Sequence, residues 1–309
     1  MIYTITLNPA LDRTMYVESF APGRPTRIKR EERYSGGKGV DVSRALREMG
    51  TANVALGFVG GFDGKEFEGR LMLEGLACSF TRIAGETRTN IVIQEDSSDV
   101  ETALLALGPE VRPDELMDFM FLLEKVPSMA AVIVSGSLPP GLTPEVYRRI
   151  IEIGNNRGAR TVLDTAGEAL RHSLAARPSV IKPNRHELSE LAGRDLPDIR
   201  STVEFCRTLH DRVETVLVSL GPDGIVMSTP HRALHARPPA VKVKSTVGAG
   251  DCAVAGFVHG LSIGEAPADA LRRAVAAGTA ATLNAGTGLS RRADIESLLP
   301  QVTVEELAP

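Results

Sequence analysis

From end to end the chain alternates short, β-rich apolar runs with amphipathic helical runs, and this rhythm constrains the fold more than any other feature. TITLN (4–8), ANVALGF (52–58), AAVIVSG (130–136), ARTVLD (159–164), VIKPN (180–184) and ETVLVSLG (214–221) read as buried strands. Helices are expected at about 39–50, 64–76, 143–157, 185–193, 199–212, 249–263 and 267–284, from the apolar periodicity of those stretches. Strands and helices in strict alternation argue for an α/β fold, a mostly parallel sheet covered by helices. Most of the strands end in Gly, Asp or Asn, and loops at the carboxyl ends of such strands are where ligands gather.

Two regions break the rhythm. Residues 13–18 with 27–35, and 88–95 with 100–107, alternate apolar and polar side chains without intervening helices, as exposed antiparallel strands do. They predict a small sheet standing off the main layer, suited to a lid or an oligomer surface. Tyr16, Ile91 and Ile93 lie on these short strands with little of their own chain to cover them, and exposed strand edges tend to be paired or hidden. A homodimer through this β lid is therefore expected. With no internal repeat, low-complexity tract or dividing linker, residues 1–309 are read as one domain.

Composition excludes several classes of function. The chain is 43% hydrophobic and 24% charged, and no apolar run approaches membrane-spanning length. The opening MIYTITLNPALD lacks a basic stretch and a cleavage pattern and reads as the first strand, so a cytoplasmic location is expected. Cys78, Cys206 and Cys252 are widely spaced and read as reduced, packed thiols. A net charge of −4 gives no support to a nucleic-acid partner.

Chemistry concentrates in KSTVGAGDCAVAGF (244–257). The first amides of a helix lack intrahelical partners and favour anions, and Gly248 and Gly250 let a ligand approach the backbone. A carboxylate repels phosphate, so Asp251 in such a turn makes sense as a base that takes a proton from an attacking hydroxyl. A helix N-cap is the plainer use of an Asp at that position. The segment SGGKGVDVSR (35–44) likewise sets three glycines and a lysine before a helix.

Beside these stand NPALD (8–12), TRTN (87–90), SGSLPPG (135–141), KPNRHE (182–187) and SLGPDG (219–224), each at or near a strand end. Together they resemble the ribokinase-like, or PfkB, family of carbohydrate kinases, from Met1 to about Leu299, with STVGAGD the most specific motif. MIYTITLNPALD, GGKG, GETRTNI and SGSLPPG are most similar to the branch that phosphorylates sugar phosphates, which holds 1-phosphofructokinase, tagatose-6-phosphate kinase and the minor 6-phosphofructokinase. Lys38 favours the first two, because the minor enzyme of enteric bacteria has glycine there.

The resemblance implies a three-layer α/β/α fold with a β lid, and transfer of the γ-phosphate of ATP to a ketohexose monophosphate. Fructose 1-phosphate is the first choice, with tagatose 6-phosphate and fructose 6-phosphate as alternatives. It implies Asp251 as the base and the amides of Gly248, Ala249 and Gly250 as the anion hole. Asp12, Gly37 and Lys38 would meet the sugar, and Arg88, helped by Ser137 and Arg27, its phosphate. Asn184 and Glu187 match the family's NxxE, which organises Mg²⁺ through water. Lys182, Ser219, Gly221, Gly224 and Asn284 fall where relatives line the ATP site. Ser245, Val247, Ala281, Gly286 and Gly288 fall where some relatives hold K⁺ through backbone carbonyls.

Residue by residue, plainer uses exist: Arg88 as a cross-strand partner, Asn184 as a helix cap, Gly221 and Gly224 as turn formers. Order and spacing over the whole chain favour the functional set. One departure is Asp41, where the family usually has asparagine. An ionised carboxylate only accepts hydrogen bonds and adds negative charge near an anionic substrate. GAGDCA also fits the dinucleotide fingerprint G-x-G-x-x-A, but the residues after it read as helical and offer no second strand ending in an acid. No P-loop motif occurs. A sugar-phosphate-binding module without catalysis is the remaining alternative, and the intact Asp251, Asn184 and Glu187 argue against it.

Overall fold

The computed structural model describes residues 1–97, 101–284, 286 and 288–307. Its strands are β1 (Ile2–Thr6), β2 (Ala10–Val17), β3 (Ile28–Gly36), β4 (Asn53–Val59), β5 (Ala77–Arg82), β6 (Arg88–Glu95), β7 (Glu101–Leu104), β8 (Ala131–Ser135), β9 (Arg160–Asp164), β10 (Val180–Ile181), β11 (Thr215–Ser219), β12 (Ile225–Ser228), β13 (Ala233–Arg237) and β14 (Thr303–Leu307). Its helices are α1 (Lys38–Glu48), α2 (Gly61–Leu73), α3 (Pro113–Lys125), α4 (Glu145–Asn156), α5 (Gly167–Ser173), α6 (Arg185–Ala192), α7 (Ile199–Arg207), α8 (Ala249–Ser262), α9 (Pro267–Thr282) and α10 (Arg292–Leu298).

Ten strands form one sheet in the order β14-β13-β12-β11-β10-β9-β8-β1-β4-β5. From β11 to β5 every neighbouring pair is parallel; β12, β13 and β14 extend one edge antiparallel. Successive side chains of a strand face opposite layers. Val132 and Val134 of β8 accordingly enter the core shared with α3, α4, α6 and α7, and Ala131 and Ile133 the core shared with α1, α8, α9 and α10. This is the three-layer ribokinase-like α/β fold. The small residues of α8 have a packing reason: a methyl group on Gly256 would come within 2.7 Å of Arg273 O and 2.9 Å of the Ala277 Cβ on α9.

Chain order reverses at β1, which lies between β8 and β4. In an open α/β sheet the crevice at such a reversal, outside the carboxyl ends of the strands, is where ligands bind. Thr6, Gly136 and Ser137, at the ends of β1 and β8, line a cavity there.

The second sheet runs β3-β2-β6-β7. The pairs expected to be antiparallel, β2 with β3 and β6 with β7, are so, and the two are joined through a parallel central pair, β2 with β6, in register Ala10↔Arg88 to Val17↔Glu95. The parallel pair brings the ends of the NPALD and TRTN motifs to the same corner of the cavity. Of the side chains expected to lie uncovered, Ile93 is buried in its own chain, and Tyr16 is half-buried, stacked under the Arg30 guanidinium at 3.6 Å. The exposed apolar side chains near this sheet are instead Ile28, Leu104, Leu105 and Leu107. Residue 100, where one lid segment was expected to begin, lies outside the described residues.

The expected VIKPN strand shrinks to Val180–Ile181. Pro183 has no amide to donate to a ladder, and Asn184 instead caps α6. Among the described residues no helix is long and apolar enough to cross a membrane.

Candidate active site

The cavity at the sheet's reversal has a volume of about 720 Å³. Lys38 and Asp41 reach it from α1, Arg88 and Asn90 from β6, Glu187 from α6, and Gly248 and Asp251 from the start of α8. Gly248 caps α8 with φ 72°, a left-handed conformation that favours glycine, and lines the cavity where the helix begins. Of the expected anion-hole donors, the Ala249 amide is drawn back into the turn, donating to Thr246 O at 3.3 Å. A methyl group on Gly250 would lie 3.4 Å from Lys182 Nζ, so the ammonium sits directly under the turn.

Asp251 is 7% exposed, and its Oδ1 is buried with no hydrogen-bond partner. Burial, followed by the carboxylates of Asp164 and Asp41, holds its pKa well above the ordinary carboxylate range; Lys38 and Lys182 pull the other way.

Sequence reasoning missed the residue that organises those lysines. Asp164, at the end of β9 and fully buried, has Lys182 Nζ 3.2 Å from Oδ1 and Lys38 Nζ 3.4 Å from Oδ2. Burial opposes its charge, but the two ammonium groups outweigh it and hold the carboxyl below its usual range. Burial likewise works against the Lys38 ammonium, and Asp164, Asp251 and Glu187 more than compensate. The available signal was the Asp closing the run ARTVLD, at a strand end where functional groups collect.

At the far end of the cavity, Arg88 donates to Ala106 O at 2.7 Å and to Asn8 O at 2.8 Å, leaving a buried Nε without a partner. Burial depresses its pKa and Asp12 partly restores it, but a guanidinium keeps its charge. Asp12 accepts from Asn90 Nδ2 at 2.8 Å; burial raises its pKa against that bond and the nearby Arg88 and Arg44. Asn8 donates to Ser137 Oγ at 3.4 Å and to Leu107 O at 3.0 Å. Asn8 and Asn90, both absent from the expected set, thus tie the sugar-side motifs together. Gly37 caps α1 with φ 126°, and a side chain there would press Thr6 Cγ2. Arg27, expected beside Arg88, is exposed in the loop before β3 and does not line the cavity of its own chain.

Asn184 and Glu187 form a reciprocal capping box, Asn184 Oδ1 accepting from the Glu187 amide and Glu187 Oε2 from the Asn184 amide, both at 2.8 Å. The capping use is thus real, and Glu187 also faces the cavity. The backbones of Asn184 and Ser219 form a parallel bridge just beyond the paired residues of β10 and β11. Gly221 (φ 62°) and Gly224 (φ 88°) shape the turn after β11. Asn284 donates to Leu289 O at 3.0 Å, and Ser245 Oγ to Gly286 O at 3.0 Å, which draws the segment after α9 toward the glycine turn. Ala281 O accepts the Asn284 amide at 3.1 Å, Val247 N donates to Ser245 Oγ at 3.2 Å, and Gly288 lies in the same segment. Among the described residues no three His, Cys, Asp or Glu side chains gather to hold a metal ion by themselves.

An open α/β sheet with its cavity at the reversal, closed on one side by a small β sheet and holding a glycine turn and a buried Asp at a helix start, defines a carbohydrate kinase. A model of the pfkB family carbohydrate kinases matches residues 5–294, and the chain belongs to that family. It is therefore a phosphotransferase acting on a sugar hydroxyl. The chain is 35% identical over 308 residues to the 1-phosphofructokinase of Bacillus subtilis, covering 99% of this chain and 100% of that one. It is also 35% identical over 311 residues to the 1-phosphofructokinase of Rhodobacter capsulatus, covering 100% and 98%. Among solved structures, phosphofructokinase-2 from Escherichia coli in complex with potassium superposes with a TM-score of 0.93 at 31% identity, covering 97% of this chain and 98% of that one. The ribokinase of Arabidopsis thaliana complexed with ribose and ATP has a TM-score of 0.79 at 18% identity over 96% and 98% of the chains, a likeness of fold alone.

Proposed function

We propose that this chain transfers the γ-phosphate of ATP to a hydroxyl of a ketohexose monophosphate, with fructose 1-phosphate the preferred acceptor. The observation that carries this reading is the buried, unpartnered Asp251 carboxylate at the start of α8, in a cavity whose other end holds Arg88 with a spare buried donor. The full-length relatives named 1-phosphofructokinase support the choice of acceptor.

The sugar lies between Asp12, Gly37, Lys38 and Asp41, with its phosphate at Arg88 and Ser137. Asp251 Oδ1 accepts the proton of the attacking hydroxyl. The amides of Gly248 and Gly250, with Lys182 beneath them, receive the charge of the group in transfer, joined by the Ala249 amide once it leaves Thr246 O. Lys182, Ser219, Gly221, Gly224 and Asn284 form the nucleotide side. The residues fit a bound triphosphate, since Gly250 lies open over the Lys182 ammonium and Glu187 presents a carboxylate to the cavity. Mg-ATP, when bound, supplies the phosphoryl group and a cation that offsets its charge. Asn184 and Glu187 would hold Mg²⁺ through water, with phosphate oxygens completing a shell that the protein alone does not provide. Ser245, Val247, Ala281, Gly286 and Gly288 would hold K⁺ beside the turn.

The test is a panel of fructose 1-phosphate, fructose 6-phosphate, tagatose 6-phosphate, fructose, ribose and nucleosides with Mg-ATP. The highest kcat/KM is expected for fructose 1-phosphate, and preference for an unphosphorylated acceptor would overturn the substrate assignment. Arg88→Ala is expected to raise KM for the sugar phosphate about 10- to 150-fold and to leave KM for ATP nearly unchanged, since a charged hydrogen bond contributes about 1.5–3 kcal/mol. Equal loss for both substrates would remove Arg88 from the phosphate subsite. The exposed Ile28, Leu104, Leu105 and Leu107 support a homodimer through the small sheet. Sedimentation at micromolar concentration should give twice the chain mass; a monomer would refute it.

A further inference from the structure

Asp41 is not a free charge. It lies on the cavity wall one helical turn before Arg44, whose Nη1 stands 3.3 Å from Asp41 Oδ1. Arg44 is fixed from its other side: Nε and Nη2 each donate to Glu74, at the end of α2, at 2.7 Å. That is the bidentate fork geometry in which a guanidinium is held most firmly. The side chains of Asp41 and Arg44 are 20% and 14% exposed, so solvent screens the pair little.

We propose that Glu74, Arg44 and Asp41 form a relay that selects the acceptor: Asp41 accepts hydroxyls of the sugar, and Arg44, oriented by Glu74, offsets part of the Asp41 charge so that the cavity admits a phosphorylated sugar. Asp41 is the specificity-determining residue; Arg44 and Glu74 are positioning residues that act through it. An amide at position 41 would need no such partner. A lone carboxylate there would add to Asp12 and Asp251, and every further negative charge in a low-dielectric cavity weakens the binding of a phosphate ester.

The groups bearing on Asp41 are Arg44 on its own helix, Asp12 on β2, Glu74 beyond α2, and Asp251 with the Cys252 thiol on α8. Burial raises its pKa to about 7, with Arg44 opposing and Asp12 and Glu74 adding to the rise. Below that pH the carboxyl carries a proton and needs no partner; above it, the relay is required. Removing Arg44 moves this midpoint upward, because the surviving neighbours are acidic.

The relay rests on the sugar-phosphate reading only for its purpose; the coupling between the residues is measured with whichever sugar the enzyme phosphorylates. In the Asp41 protein, Arg44→Gln is expected to raise KM for fructose 1-phosphate about tenfold or more at about pH 9, and to raise KM for free fructose much less. In the Asp41→Asn background the same change should cost about twofold or less, because no charge remains to cancel. Equal losses from Arg44→Gln in both backgrounds, or a loss that does not change with pH, would reduce Arg44 to a structural residue and overturn the relay. A loss shared equally by fructose and fructose 1-phosphate would also overturn it. A substrate panel that favours free sugars, with the Asp41–Arg44 coupling intact, would overturn the substrate reading alone.

Discussion

Replacement of Asp251 by Asn is expected to lower kcat by about 100- to 10,000-fold, the usual loss when a general base is removed, while KM for either substrate moves a few-fold at most. The side chain keeps its shape and loses only the capacity to take a proton. An unchanged kcat would end the proposed role. The wild-type pH profile offers an independent check. Base catalysis needs the carboxylate, and burial together with Asp164 and Asp41 holds the Asp251 pKa well above the ordinary carboxylate range. The acidic limb of kcat should therefore fall at a higher pH than that of a solvated Asp, and Asp251→Asn should abolish it.

Asp164→Ala is expected to destabilise the fold by about 3–5 kcal/mol, the scale found when one partner of a buried ion pair is removed. Its carboxylate is fully buried, and the Lys182 side chain is 5% exposed, so the ammonium would be left without its partner. Denaturant unfolding, read as a shift of midpoint at constant slope, measures the loss. The sign with pH is fixed by the lowered pKa. The native state holds the carboxylate more firmly than the unfolded chain, so the contribution of Asp164 is present above the unfolded value of about 3.9 and is lost as pH falls through the native one. The variant should lack that acid-side loss. Wild-type stability in Asp164→Ala would mean that Lys38 and Lys182 do not depend on the carboxylate.

The strand and helix rhythm was legible because it is local: apolar periodicity and helix-start chemistry are read from residues a few positions apart. The glycine turn before Asp251 and the cap at Asn184 are of this kind, and both stand where the sequence placed them. Sequence reasoning passed over α3, although Pro113 and two acids open it, and also the short α5 and the edge strand β14, whose TVEEL is polar and half solvent-facing.

The sequence by itself determined the family, the layered sheet and the place of the glycine turn at the start of α8, because each is written in contiguous motifs. Tertiary structure alone decided which charges meet. Asp164 binds Lys38 across 126 positions and Lys182 across 18, and Arg44 reaches Glu74 across 30. The parallel pairing of β2 with β6, the covering of Ile93 and the absence of Arg27 from the cavity wall were decided in the same way. Such contacts depend on strand order, register and the path of distant loops, to which no short window of sequence responds, and the low dielectric of the packed interior then sets how strongly the charges act on one another.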